Sequence, residues 1–181
     1  MGALVRGCRL GTVGLGAGRR RLQGRVTVHA MGGTAIVAAA VAAARDFPRL
    51  RVLALTVVTS MTDADLADIG VIGSASASVS ASNSTEEQVL RLARLAEGVG
   101  CHGVIASPQE AGPLRGVLGS SALIVTPGVA LPGGSAGEHA RSGTPGAAVA
   151  AGASHVLVER SVTRAADPVA AFRLVRADLE L

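Results

Sequence analysis

The chain has 181 residues, 49% of them hydrophobic, and its formal net charge is +4. Its length suits one globular domain, and with only two aromatic residues, both Phe, the core has to consist of Ala, Val, Leu and Ile. All 17 basic residues are Arg, and the absence of Lys excludes reactions that need a side-chain amine, such as Schiff-base formation or general acid catalysis by Lys.

Residues 1–24 are rich in Gly and Arg and show neither strand nor helix periodicity, so we predict no element there and interpret them as disordered or mistranslated. The consecutive arginines at 19–21 lack the aromatic neighbours of a nucleic-acid-binding segment, so no nucleic-acid partner is predicted. No apolar run reaches the roughly 18 residues of a membrane span. Cys8 and Cys101 lack the spacing of metal ligands, and two free thiols suit a cytoplasmic protein without a metal.

From residue 25 onward, apolar runs typical of strands alternate with helical patterns. Nearly continuous apolar runs of this kind are typical of parallel strands that are buried on both faces. The predicted strands are 25–30, 51–59, 103–107, 122–126 and 155–160. The alternation predicts a parallel α/β fold, and both a Rossmann-like sheet and a (βα)8 barrel remain open on these patterns alone.

The predicted helices carry boundary signals of their own. Residues 34–45 are rich in Ala, and the Ser-rich segment 73–84 is predicted to be a surface loop that ends in a capping box, Ser84 to Glu87. Thr144 and Asp167 each precede a Pro, as an N-cap residue does. Glu110 follows Ser-Pro at a helix start, where the helix dipole favours an acid, so we interpret it as a capping residue.

In parallel α/β proteins the functional residues lie at the carboxyl ends of the strands. The polar residues predicted at those ends are His29, Thr59, Ser60, Ser107, Thr126, Glu159 and Arg160. An Arg beside backbone N–H donors makes a good phosphate site, although Arg160 could equally form a surface salt bridge. A His flanked by apolar residues, as His29 is, more often has a structural role, and Thr59 and Ser60 could be turn residues. The Gly-rich loop 128–143 has the length of a ligand-covering segment.

These strand ends resemble those of orotidine 5′-monophosphate decarboxylases. The similar stretches are VTVHAMGG at 26–33, LTVVTSM at 55–61, GVIASPQEA at 103–111, IVTPGV at 124–129, Ala136-Gly137, Thr144-Pro145 and VERSVT at 158–163, followed by Asp-Pro at 167–168. Their order and spacing also agree with that family over residues 25–181. The resemblance implies an incomplete (βα)8 TIM barrel in which the predicted strands are strands four to eight.

The resemblance also implies a function, the decarboxylation of orotidine 5′-monophosphate (OMP) to uridine 5′-monophosphate (UMP) in pyrimidine synthesis, without a cofactor. Thr59 would contact the substrate and Arg160 would bind its phosphate. Ser60, His139 and Glu159 are weaker candidates, because His139 stands where the family has Gln and Glu159 where it has Gly. Ala130 replaces an Arg of the family and cannot form that residue's charged hydrogen bonds.

The family's catalytic motif, Asp-x-Lys-x-x-Asp on strand three, has no counterpart in this sequence. We therefore predict no catalytic residue and no decarboxylase activity for the chain as printed. Five strands do not close a barrel, so we expect exposed backbone at the outer strands, strands four and eight, and an exposed apolar inner face. The family pairs barrels into homodimers, but the strand-three residues that complete the partner's site have no counterpart here.

Two other functions stay open. Related barrels decarboxylate or condense sugar phosphates and keep the phosphate site, although they too rely on acids and usually a Lys from early strands. Alternatively, the chain could bind a nucleotide without catalysis, or complement a separate polypeptide that carries the first strands. Ligand preference separates the first alternative from the main prediction, because UMP should stabilise the chain and pentulose phosphates should not.

Overall fold

The computed structural model describes residues 3–6, 9–11, 24–72, 84–131 and 140–180, the first two ranges by their backbone. Seven strands in these residues form one sheet, in the order β2-β1-β7-β6-β5-β4-β3. The strands are β1 Ala3–Arg6, β2 Arg9–Gly11, β3 Gly24–His29, β4 Leu50–Leu55, β5 Gly103–Ile105, β6 Leu123–Thr126 and β7 His155–Val158. Strands β3 to β7 are parallel neighbours, which confirms the predicted parallel α/β architecture.

Helices connect the parallel strands or follow the last of them, and they cover one face of the sheet. They are α1 Thr34–Ala44, α2 Asp63–Asp68, α3 Thr85–Gly98, α4 Ala111–Leu118, α5 Pro145–Ala150, α6 Arg160–Thr163 and α7 Pro168–Leu179. The main core lies between these helices and one set of alternating strand residues, which includes Val104, Ile124 and Val156. The other set faces the opposite side, where Leu55 and Ile105 are only half-buried. This second face is the inner face of a barrel that five strands leave open.

The prediction of an exposed edge is wrong at the last parallel strand. β1 pairs with β7 in the antiparallel direction, with Leu4 opposite Leu157, and β2 pairs with β1. The unpaired N–H and C=O groups of a strand edge favour pairing with any extended segment, whatever its side-chain pattern. Side-chain periodicity therefore gave no sign of the two short strands in residues 1–24. At the other end of the sheet, β3 is the terminal strand among the described residues.

Three strands end two or more residues earlier than the apolar runs predicted, and one of them is β5, which ends at Ile105 instead of residue 107. β4 ends at Leu55 instead of residue 59, because the chain leaves the sheet after Thr56, whose side chain donates to Ile105 O over 2.9 Å. β7 ends at Val158, so Arg160 begins α6 instead of ending a strand. Apolar residues continue past the end of β4, and periodicity alone cannot locate such an exit.

The helix starts agree with the predicted capping residues. Ser84 Oγ accepts from the N–H of Glu87 at 3.2 Å, and Thr144 Oγ1 accepts from the N–H of Ala147 at 3.2 Å. Asp167 Oδ1 accepts from two backbone N–H groups of α7, each at 2.9 Å. No helix in the described part of the chain is long and apolar enough to cross a membrane.

Candidate functional site

The carboxyl edge of the sheet carries a β-turn formed by residues 58–61. The N–H of Met61 donates to Val58 O at 3.0 Å, which places Thr59 and Ser60 at the two central positions. Thr59 is 4% exposed, whereas Ser60 is exposed to solvent. Thr59, the predicted substrate contact, therefore lies in a turn just beyond β4 and not in the strand itself.

An arginine that the sequence analysis did not single out holds this turn. Arg141 Nη1 donates to Met61 O, and its Nη2 donates to Val58 O at 3.3 Å. Its Nε donates to Glu110 Oε1 at 2.7 Å in a salt bridge, in which the two side chains are 12% and 3% exposed. Arg141 thus joins three connections at one edge of the sheet, those that follow β4, β5 and β6.

Glu110 also caps the helical turn that follows β5, as predicted. Its Oε2 accepts from the N–H of Ser107 at 2.9 Å and from the Ser107 hydroxyl. Ser107 is fully buried, and so is Thr126, whose hydroxyl donates to His155 O at 3.3 Å. Both side chains are engaged within the protein.

Arg160 lies at the same edge of the sheet as the Thr59 turn, because both follow parallel strands. It is the first residue of α6 and is half-buried, whereas Glu159, directly before it, is exposed. The base of the 128–143 loop is closed by backbone hydrogen bonds, from Ala130 N to Gly143 O at 2.9 Å and from Gly143 N to Gly128 O at 3.3 Å. His139 lies outside the described residues. His29, at the end of β3, is exposed.

A carboxylate beside the turn links α2 to the start of α3. Asp63 Oδ1 accepts from the hydroxyl of Thr85 at 2.5 Å and from its N–H at 2.8 Å. These two hydrogen bonds, together with the positive charge of Arg141, hold the pKa of Asp63 below its usual value of 3.8. Asp63 is therefore ionised at neutral pH and fixes the two helices that flank residues 73–83.

A cavity of about 480 Å³ lies at the opposite edge, near the amino ends of β5 and β6, with Arg51, Glu97, Cys101 and His102 in its lining. Burial raises the pKa of the Cys101 thiol. Burial, and then the charge of Arg51, lower the pKa of His102. The thiol stays protonated at neutral pH and is a poor nucleophile. No three His, Cys, Asp or Glu side chains of the described residues are grouped so that they could hold a metal ion.

Comparison with known proteins identifies the family of this chain. The model of the Orotidine 5′-phosphate decarboxylase / HUMPS family matches residues 24–175. The chain belongs to this family. The match begins at the first residue of β3 and ends in α7, so it includes all five parallel strands.

Curated relatives and a solved structure agree with the family match. Orotidine 5′-phosphate decarboxylase of Idiomarina loihiensis is 42% identical over 146 residues, which cover 80% of this chain and 59% of that protein. The enzyme of the same name from Anaeromyxobacter sp. is 43% identical over 154 residues, 85% of this chain and 63% of that one. The crystal structure of orotidine 5′-phosphate decarboxylase from Lactobacillus acidophilus superposes with a TM-score of 0.64 at 31% identity, over 87% of this chain and 63% of that chain.

The chain therefore spans about three fifths of the length of the decarboxylases it matches. This confirms the resemblance read from the strand-end motifs and the prediction of an incomplete barrel. Arg141 was missed because its role depends on contacts across more than 30 positions of the sequence. One signal was present: Glu110 is an acid in a mostly apolar segment, and Arg141 is the only Arg between residues 116 and 159.

Proposed function

We propose that this chain forms the nucleotide-binding part of an orotidine 5′-monophosphate decarboxylase site and binds pyrimidine nucleoside monophosphates such as UMP and OMP in the cytoplasm. One observation carries the proposal. The Thr59 turn and Arg160, which lie in two of the stretches similar to the family, follow β4 and β7 and so stand at one edge of the sheet. In the proposal, Arg160 binds the phosphate and Thr59 contacts the base.

Each of these residues suits its assigned part of the nucleotide. A guanidinium presents several N–H donors in one plane and forms strong, charge-assisted hydrogen bonds with phosphate oxygens. A β-turn with a hydroxyl side chain offers both donors and acceptors, which a pyrimidine base edge needs. Because the two groups follow strands separated by β5 and β6, they can bind opposite ends of one extended ligand.

The same proposal assigns no catalysis to the chain as printed. Decarboxylation breaks the bond between the pyrimidine ring and its carboxylate, leaves the electron pair on the ring carbon and needs a proton to replace the departing carbon dioxide. In the family a Lys supplies that proton, and this sequence has no Lys. The whole reaction would require a catalytic acid from outside these 181 residues.

Two departures from the family pattern weaken phosphate binding in this proposal. Ala130 lacks the donors of the Arg that the family carries, and losing one hydrogen bond to a charged group costs about 1.5–3 kcal/mol. Glu159 places a carboxylate directly before Arg160 and repels a phosphate dianion. The variant Glu159→Gly should therefore bind UMP more tightly than the original chain, with the difference largest at low ionic strength.

Calorimetric titration of the full chain with UMP, ribose 5-phosphate and a pentulose phosphate tests the binding. We expect UMP to bind most tightly and Arg160→Ala to weaken all three, whereas Arg173→Ala, an exposed Arg on α7, changes none. Tighter binding of the pentulose phosphate would favour a sugar-phosphate barrel instead, and no binding of UMP would refute the proposal.

Activity needs a separate assay. The chain is purified from a host that lacks its own decarboxylase and is incubated with OMP, and we expect no release of carbon dioxide. Turnover by the purified chain would refute the prediction of inactivity without affecting the binding result. Turnover only after addition of a polypeptide with the Asp-x-Lys-x-x-Asp motif would identify the chain as a complementing part.

A further inference from the structure

Arg141 donates hydrogen bonds to both ends of the turn formed by residues 58–61. Val58 and Met61 are the first and last residues of that turn, and both of their carbonyl oxygens accept hydrogen bonds from the Arg141 guanidinium. Val58 O also accepts the N–H of Met61, which closes the turn. The two carbonyl groups bracket Thr59 and Ser60, so the guanidinium fixes the segment that carries both side chains.

The salt bridge with Glu110 in turn fixes Arg141. Glu110 is 3% exposed, and its other carboxylate oxygen is held by Ser107 at the end of β5. A chain of contacts therefore anchors the 58–61 turn to the centre of the sheet. Ser107 contacts Glu110, and Glu110 contacts Arg141. Arg141 in turn contacts Val58 and Met61. A planar guanidinium can serve three acceptors at once, which a Lys ammonium on a flexible stem does less rigidly.

We infer that Arg141 is a positioning residue for base recognition: it holds the 58–61 turn in the arrangement in which Thr59 contacts the pyrimidine of a bound nucleotide. The inference rests on the proposed function of this edge. A turn that already has its bound conformation costs no conformational entropy to order when the ligand binds. Loss of Arg141 removes this preorganisation and should therefore weaken the affinity for the ligand. Because Arg160 follows a different strand, removal of the Arg141 side chain should weaken the contact with the base and leave the contact between Arg160 and the phosphate unchanged.

Two ligands separate these contributions, since ribose 5-phosphate carries the phosphate and sugar of UMP without its base. In Arg141→Ala we expect the affinity for UMP to fall about tenfold or more, which corresponds to the loss of about one good hydrogen bond. The affinity for ribose 5-phosphate should stay within about twofold of the original value. Arg141→Lys keeps the charge opposite Glu110 and should recover part of the preference for UMP.

Arg115 provides a matched control. Its guanidinium also serves three acceptors, but all of them are backbone carbonyl oxygens, those of Gly119, Ala122 and Gly152, and they lie at the amino ends of the strands. Arg115→Ala should lower the stability of the fold and leave the ratio of the two affinities unchanged. If Arg141→Ala alters that ratio no more than Arg115→Ala does, Arg141 has only a general structural role and the inference is wrong.

Amide hydrogen exchange without any ligand gives a second measurement. We expect the amides of residues 58–61 to exchange faster in Arg141→Ala than in Arg115→Ala at equal global stability. If the original chain binds neither ligand, the proposed function fails, and the exchange rates alone decide whether Arg141 holds the turn. Equal exchange at 58–61 in the two variants would overturn the inference. Should Arg141→Ala not fold, Arg141→Lys serves for both measurements.

Discussion

The guanidinium of Arg25 lies 2.8 Å from Nε2 of His155, although these residues belong to the two outermost parallel strands, β3 and β7. Four strand intervals of about 4.8 Å separate β3 from β7, so the two strands would be roughly 19 Å apart in a flat sheet. A direct contact between their side chains requires the sheet to curl. The contact therefore crosses the inner face of the half-barrel and ties its two sides together.

We expect Arg25→Leu to destabilise the fold by about 1–3 kcal/mol. The Arg can only donate, so Nε2 of His155 accepts in this contact, and the substitution leaves an acceptor without that partner on a side chain that is 2% exposed. Urea unfolding should show a lower midpoint with an unchanged m-value. Arg173→Leu, an exposed substitution on α7, should change the midpoint little.

The double variant Arg25→Leu/His155→Phe measures the contact itself. If the two residues interact, the double variant should lose less stability than the sum of the two single losses, because each single substitution already removes the shared hydrogen bond. Strict additivity would mean that the two side chains do not stabilise the fold through their contact.

Gly103 lies in β5 where the neighbouring strand β6 leaves no room for a side chain. A Cβ at this position would lie 2.0 Å from Leu123 O, a backbone atom that cannot move aside without breaking the register of the two strands. We expect Gly103→Ala to destabilise the chain by more than about 4 kcal/mol or to prevent folding, as measured by circular dichroism and urea unfolding.

Gly116 is the matched control for that substitution. It lies within α4, and a Cβ there would meet no atom within 4 Å. Gly116→Ala should therefore stabilise the chain by about 0.5–1 kcal/mol through helix propensity. Comparable effects of the two substitutions would show that the contact with Leu123 is not a constraint.

Local signals made much of this fold predictable. The five parallel strands follow from short apolar runs, and the starts of α5 and α7 follow from Thr144 and Asp167, each of which caps its helix within three residues. The capping role of Glu110 was predictable for the same reason, since its partner Ser107 is also three residues away. Interactions of this range are encoded by residues that stand together in the sequence.

The contacts that shape the sheet and hold the candidate site are not local. Arg141 and Met61 are 80 positions apart in the sequence, and Arg25 and His155 are 130 positions apart. No periodic pattern in the sequence connects residues at such separations. The pairing of β1 with β7 is equally distant and depends on backbone groups alone. Strand-end motifs could therefore place Thr59 and Arg160 at the same edge of the sheet, but they could not show which residues hold the turn.

Asp63 should make the stability of the fold sensitive to acid. Its pKa is held below 3.8 by hydrogen bonds from Thr85, so its contribution is fully present above the unfolded-state pKa and is lost as the pH falls through the lower folded-state pKa. Urea unfolding between pH 5 and 3, roughly the range in which carboxylates titrate, should show a smaller loss of stability for Asp63→Asn than for the original chain. Asp68→Asn, on the same helix, controls for the change in net charge, and an equal flattening in both variants would rule out the specific contribution of Asp63.

His102 should make stability sensitive to pH in a higher range. Burial and the charge of Arg51 disfavour the imidazolium form, so the pKa of His102 in the folded chain lies below its usual value of 6.5. As the pH falls through that value the unfolded chain takes up a proton first, and the free energy of unfolding must decrease until the folded-state pKa is reached. We expect unfolding midpoints in urea to fall from pH 7.5 to pH 5, about the range in which His titrates.

His102→Gln should flatten that slope, because it removes the titrating group. His29→Gln, the same substitution at an exposed position at the end of β3, is the matched control for the change of side chain. If His102→Gln leaves the slope unchanged, the burial of this imidazole beside Arg51 does not contribute to the pH dependence of folding.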